Sequence, residues 1–196
     1  LGPLLWQVYT SFCSDQALIQ PFVSHDQRWT LIHYQSVLNA NPPFWRYLVN
    51  SLIVGVSSTF LCLLLALPAA YALNRIPRQL SALSRLALVG AALFPYVLLF
   101  LALLELARAL NLGNQLLALS LPYAALSQPL AILLLNNAFN DLPPELEHAA
   151  KLEGLSLFQR FRWIFIPLIS PATASTAILV FLFSWNEYPI ALTWIS

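Results

Sequence analysis

The sequence has no methionine, a single lysine, five glycines and few charges of either sign. Each scarcity excludes something. Charged residues make up 9% of the chain, where a soluble domain carries about 25%. So few charges cannot cover the surface of a soluble fold of 196 residues, and the chain falls in the membrane class. The only lysine is Lys151, and the glycines stand singly at 2, 55, 90, 113 and 154. A phosphate-cradling loop needs clustered glycines followed by Lys-Ser or Lys-Thr, so this chain holds no nucleotide in that way. Two cysteines, Cys13 and Cys62, make no disulfide framework. A net charge of +1 leaves no footprint for nucleic acid. Lacking a start residue, and beginning and ending in apolar text, the chain is expected to be a piece of a longer protein.

What is present is apolar: 59% of residues are hydrophobic and the mean hydropathy is +0.72. A bilayer-spanning helix needs about 20 such residues in a row. Tyr47–Asn74, Leu86–Leu104, Ala109–Asn140 and Trp163–Asn186 carry no charge. Spans are therefore expected at about 48–73, 86–107, 116–139 and 164–185, with 1–12 as the tail of an earlier one. The expected fold is all-α, a polytopic bundle of membrane helices in one transmembrane domain over 1–196.

Arginine and lysine set the orientation. Arg75, Arg78 and Arg85 follow the first full span; Lys151, Arg160 and Arg162 follow the third. Two spans separate these groups, so they share one face, taken as cytoplasmic. Arg28, Arg46 and Arg108 fall opposite. Residues 13–46 then form an external loop, in which His25 and His33 lack metal-ligand spacing.

The one stretch dense in charge is LPPELEHAAKLEGLSLFQRFRWIFIPLISP, from Leu142 to Pro171. Asp141 before Pro143 and Pro144 suggests an acidic cap and a helix start. Glu145 and Glu147 suit its first turn and Lys151 its last. Gly154 stands where a left-handed residue ends a helix. Ser156 and Gln159 are spaced as a capping box for a second helix running to Pro167. Such a helix–turn–helix over 142–163 is either a docking element or a structured connector.

These residues resemble the EAA motif of ABC importer permeases. Ala149-Ala150, Gly154 and Ile164-Phe165-Ile166-Pro167 match its spacing. His148 stands where the motif has its first Glu, Ile166 replaces Leu, and Glu153 stands where Asp is common. NSLIVGVSSTFLCLLLALPAAYALNRI (50–76) and FLFSWNEYPIAL (181–192) resemble the sugar branch, specifically its maltose-type second permease subunit. The resemblance implies an ABC type I importer permease fold. It also implies a coupling segment seated on an ATPase, made of Glu147, His148, Ala149, Ala150, Lys151, Glu153, Gly154, Ile164 and Pro167. It implies a second permease subunit in a heterodimer, two ATPase subunits that bind ATP and Mg, and an extracytoplasmic solute-binding protein. The setting would be the bacterial plasma (inner) membrane, and the solute a sugar or sugar-like osmolyte. The chain itself would be no enzyme.

Other polar residues fall in or beside spans. Trp185, Asn186, Glu187 and Tyr188 combine stacking and hydrogen-bonding groups suited to a polyhydroxyl solute, or anchor a helix end at the interface. Asn136 and Asn137 face either a solute path or a neighbouring helix. Glu105 has Arg108 one turn away, the pattern of a helix-end pair. The rival readings are an ion-coupled secondary transporter, which requires acids or broken helices at mid-depth, an ABC permease for a non-sugar solute, and a non-transporting assembly subunit.

Overall fold

A computed structural model describes residues 2–19, 29–112 and 115–194. His25 and Arg28, and part of the turn at 111–115, lie outside the described residues. Among the described residues there is no β-strand beyond an isolated bridge between Cys13 and Trp29.

The chain divides into two compact units, 1–50 and 51–196. The first holds the short helices α1 (Gly2–Ser11), α2 (Asp15–Ile19) and α3 (Ile32–Leu38). They are joined by local polar contacts: Thr30 N donates to the Phe12 carbonyl at 2.8 Å, and the Ser11 and Tyr34 hydroxyls lie 2.6 Å apart. His33 Nε2 meets the Cys13 carbonyl at 3.0 Å, a structural contact. Among the described residues no cluster of His, Cys, Asp and Glu could hold a metal ion.

The second unit contains most of α4 (Phe44–Arg75) and everything after it. Next come α5 (Arg78–Leu93), α6 (Tyr96–Ala109), a 3-10 turn (Leu117–Leu119) and α7 (Ser120–Asn140). Then follow α8 (Pro144–Leu152), α9 (Leu157–Arg160), a π turn (Phe161–Phe165), α10 (Ile166–Leu168), α11 (Ser170–Asn186) and α12 (Pro189–Trp194). Helix α4 has 32 residues, about 48 Å at 1.5 Å per residue. Phe44–Arg75 and Leu117–Asn140 are each long and apolar enough to cross a membrane. Leu157–Leu168 and Ser170–Asn186 qualify only as a pair, bent by 80°.

Two expected helices are broken. The expected span at 86–107 is divided between α5 and α6, of 16 and 14 residues, with the break at Phe94–Pro95. Phe94 takes φ −68°, ψ 133°. Proline pushes its predecessor out of the helical region in this way and has no N–H to continue the ladder. The expected span at 164–185 bends at Ile169, between Pro167 and Pro171. By contrast Pro68 and Pro129 lie inside the unbroken helices α4 and α7.

Helix α7 is the middle of this unit, packing on α11 and α5. Its core is built on small residues: Cys62, Ala66, Ala70 and Ala131 are at most 1% exposed, with Leu135, Phe139, Phe165 and Val180 around them. Small side chains let helix backbones approach where lipid removes the hydrophobic drive between helices. Two side-chain amides of α7 tie it to α4. Asn136 Nδ2 donates to the Ala70 carbonyl at 3.0 Å and Gln128 Nε2 to the Cys62 carbonyl at 3.1 Å.

Candidate functional site

The charged segment folds as two short helices, and local chemistry explains most of it. Helix α8 starts at Pro144, whose fixed φ suits the first helical position and whose missing N–H costs nothing there. The cap is Pro143, with no side-chain bond, and not Asp141. Asp141 instead closes α7, its N–H donating to the Asn137 carbonyl at 3.2 Å. The two prolines place the helix start beyond reach of that carboxylate. At the other end Gly154 takes φ +75°. Its N–H meets the Lys151 carbonyl and the Leu155 N–H meets the Ala150 carbonyl, both at 3.0 Å. This is the Schellman pattern, and it needs a residue tolerant of positive φ. Ser156 and Gln159 then close the expected capping box: Gln159 N donates to Ser156 Oγ at 3.3 Å and Ser156 N to Gln159 Oε1 at 2.8 Å.

The second helix does not run uninterrupted to Pro167. It widens into a π turn over Phe161–Phe165. Phe161 and Phe165 both lie against the Tyr71 ring, at 4.9 and 5.3 Å between centroids, and Phe139 completes the cluster. A regular helix would also have to supply an N–H at Pro167, which has none.

The segment has two contrasting sides. His148, Ala149 and Glu153 are exposed. Leu152 is 90% exposed and Phe158 77% exposed, flanking the Gly154 turn. Glu147 and Ala150 point inward, 5% and 2% exposed. Ile164 packs partly buried against the core, and Pro167 is exposed. The expected coupling residues are therefore brought into one segment but not onto one face.

Glu147 is the inward anchor. Its Oε1 accepts from the Tyr71 hydroxyl at 3.0 Å, from Lys151 Nζ at 2.8 Å and from Arg160 Nη1 at 3.3 Å; its Oε2 accepts from Arg75 Nη2. Burial by itself raises the carboxyl pKa. The bonds from Lys151, Arg75 and Tyr71, with the Arg75 charge, outweigh it and hold the value at about 2, against an ordinary 4.5. Arg75 also lies over the Tyr71 ring at 4.9 Å and bonds Asn74, which in turn bonds Asn140 at the end of α7. Sequence reading missed Tyr71 and Arg160 as partners and used Arg75 only as a topological charge. No local signal marks them.

The residues singled out at the far end of α7 form a separate arrangement. Glu187 accepts from the Tyr123 hydroxyl at 2.9 Å and from Ile190 N at 3.0 Å, so its carboxylate closes the first turn of α12. Trp185 stacks on Phe181 at 5.4 Å, Asn186 bonds the Leu182 carbonyl, and Tyr188 is 66% exposed. Asn136 is buried in its tie to α4, while Asn137 is exposed. Both lie 13 or more residues along α7 from Tyr123, about 20 Å at helical rise, so they do not join the 185–188 group. Glu105 pairs with Arg108 at 3.0 Å on an exposed surface, as its spacing predicts. A cavity of about 340 Å³ lies between α5, α6, α7 and α11; Leu99, Leu130, Leu179 and Phe183 make it apolar.

Residues 62–196 match the family described as "Binding-protein-dependent transport system inner membrane component". This chain belongs to that family. Its members are permease subunits of ABC transporters, inner-membrane proteins that are not themselves enzymes and work with other subunits and a binding protein. The permease is 34% identical over 194 residues to the sulfoquinovosyl glycerol transport system permease protein of Agrobacterium fabrum, covering 98% of this chain and 68% of that one. It is also 34% identical to the trehalose transport system permease protein of Mycobacterium tuberculosis, covering 98% of this chain and 70% of that protein. Against the trehalose/maltose permease protein of Thermococcus litoralis the figures are 34%, 98% and 69%. A chain from the crystal structure of a bacterial ABC transporter involved in import of the acidic polysaccharide alginate superposes with a TM-score of 0.80 at 23% identity. That match covers 99% of the permease and 68% of the other chain, and it shows the fold.

Proposed function

We propose that this permease passes a sugar or sugar-like osmolyte across the bacterial plasma membrane as a multi-pass subunit, with ATP hydrolysed by separate subunits. It pairs with a second permease subunit. Two ATPase subunits, which bind ATP and Mg, sit beneath, and an extracytoplasmic binding protein delivers the solute. The observation that carries the docking reading is the exposure of Leu152 and Phe158 on either side of the Gly154 turn, on a segment anchored from within by Glu147. Large apolar side chains left this open beside a rigid turn fit a partner pocket, since exposed apolar clusters mark contact sites. Residues 142–163, with Ile164 and Pro167 just beyond, thus form the coupling segment, with His148, Ala149 and Glu153 on the partner-facing side. The sugar class rests on the names of the relatives.

The test replaces Gly154 with valine. A Cβ there meets nothing within 4 Å, so the cost is conformational: a β-branched residue at φ +75°. Co-purification of the ATPase subunits, ATP hydrolysis and solute uptake are then measured in the reconstituted complex. Reduced assembly and uptake support the reading; normal assembly with normal uptake refutes it. A thermal-shift panel of mono- and oligosaccharides on the cognate binding protein tests the solute class.

A further inference from the structure

Helix α8 is joined by the chain to α7 on one side and, through the Gly154 turn and α9, to α11 on the other. Helix α4 is remote in sequence, and the contact with it is made by side chains. Arg75 and Tyr71 lie one turn apart on α4, so both face the same neighbour. They hold different oxygens of Glu147, Arg75 on Oε2 and Tyr71 on Oε1. Attachment at two points resists rotation about either bond. Arg160, from the far side of the turn, reaches the same Oε1, and its side chain is 13% exposed. One carboxylate therefore joins α8, α9 and the end of α4. Among the described residues it is, apart from cysteine and tyrosine, the only buried ionisable side chain, at 5% exposed.

Resting on the docking reading above, we propose that Glu147 is a positioning residue for transport. It makes the two halves of the coupling segment move as one body and passes that movement to α4 through Arg75. His148 and Leu152 face the partner, while Glu147 and Ala150 face the bundle. A push on the outer face then reaches α4 through the Glu147 carboxylate, whereas it reaches α7 through the backbone at Asn140–Pro144. Cutting the side-chain route leaves the backbone route intact, so partner binding and α4 motion become separable.

The experiment uses the complete reconstituted transporter with Arg75→Gln, Arg75→Lys and Glu147→Gln. Arg108→Gln, which breaks an exposed pair elsewhere, controls for charge loss. Three quantities are read: ATPase subunits retained per permease, ATP hydrolysed, and solute imported per ATP. Arg75→Gln leaves Glu147 with Lys151, Arg160 and Tyr71, so the segment keeps its fold. The expected result is normal assembly, continued hydrolysis, and at least a fivefold fall in solute imported per ATP. Arg75→Lys restores part of that ratio, and Glu147→Gln lowers it at least as far. An unchanged ratio in Arg75→Gln overturns the proposal, and so does a loss of assembly that accounts for all lost uptake. Charged replacement of Leu152 and Phe158 is run beside these variants. If it abolishes assembly while Arg75→Gln leaves the ratio unchanged, docking stands and the Glu147 route falls; if assembly ignores it, both fall.

Discussion

The Tyr123 hydroxyl, in a side chain 1% exposed, donates to the Glu187 carboxylate at 2.9 Å across 64 residues of sequence. The same carboxylate accepts from Ile190 N, so one acid ends α11, starts α12 and fixes both to α7. Both contacts of Glu187 are thus made within the chain. Glu187→Ala strands a buried hydroxyl and the first turn of α12, at a cost of about 2 kcal/mol or more. Tyr123→Phe removes both the donor and the need for it, and costs about 1 kcal/mol. Thermal unfolding of the detergent-solubilised permease should rank the two in that order. The reverse order would mean that Glu187 is held by something other than Tyr123.

Among the described glycines, Gly55 is the one packed against another helix, on the Phe181 ring. A Cβ on Gly55 would lie 2.7 Å from the Phe181 ring. Gly55→Val should therefore destabilise by about 1–3 kcal/mol through overpacking. Phe181→Leu should relieve part of that, so the double variant is less unstable than the sum of the two. Strict additivity would show that the helices separate freely at this point.

Acid should loosen the coupling segment through Glu147. Its folded pKa, about 2, lies below the ordinary 4.5, so the ionised form is the one the fold stabilises. That contribution is complete above about pH 4.5 and declines as pH falls toward 2. Amide hydrogen exchange across residues 144–168 should be flat from neutral pH to about 5, after correction for the intrinsic rate, and rise below that. Glu147→Gln should remove this component and leave the neutral-pH exchange faster than in the parent.

Leu152→Glu and Phe158→Glu touch side chains that are almost wholly exposed. Folding stability should change by less than about 0.5 kcal/mol. Recovery of ATPase subunits with the permease should nonetheless drop about tenfold, because a charge buried against a partner pocket lacks compensation. Pull-down from solubilised membranes measures it; full recovery would place docking elsewhere.

Asn136 and Asn137 separate packing from passage. Asn136→Ala loses the bond to the Ala70 carbonyl and should cost about 1 kcal/mol in unfolding. Asn137→Ala, on the exposed side, should leave unfolding unchanged. If Asn137 meets solute, its replacement raises the KM for uptake while stability stays constant; if neither moves, it is only a surface amide.

Some of this was legible residue by residue. Gly154 at positive φ and the Ser156–Gln159 capping box follow from bonds between residues at most five positions apart, and sequence carries such rules directly. The apolar runs likewise became helices, because a helix satisfies its backbone within itself. Proline was harder to read. Pro68 and Pro129 sit inside continuous helices while Pro95 divides one, and nothing in their flanking residues separates the cases. The outcome depends on which neighbours donate to the carbonyls that proline frees. Asp141, which by local rules caps α8, closes α7 instead because Pro143 and Pro144 shift the helix start.

By itself, the sequence determined an apolar helical chain, the charged helix–turn–helix at 142–163, its Gly154 turn and the Ser156–Gln159 capping box. Only the tertiary structure decided that Glu147 turns inward while His148 beside it turns outward. The partners that make this affordable for a carboxylate, Tyr71 and Arg75, lie 76 and 72 residues away. A buried charge is stable only where several donors converge, and that convergence is a property of the packed bundle.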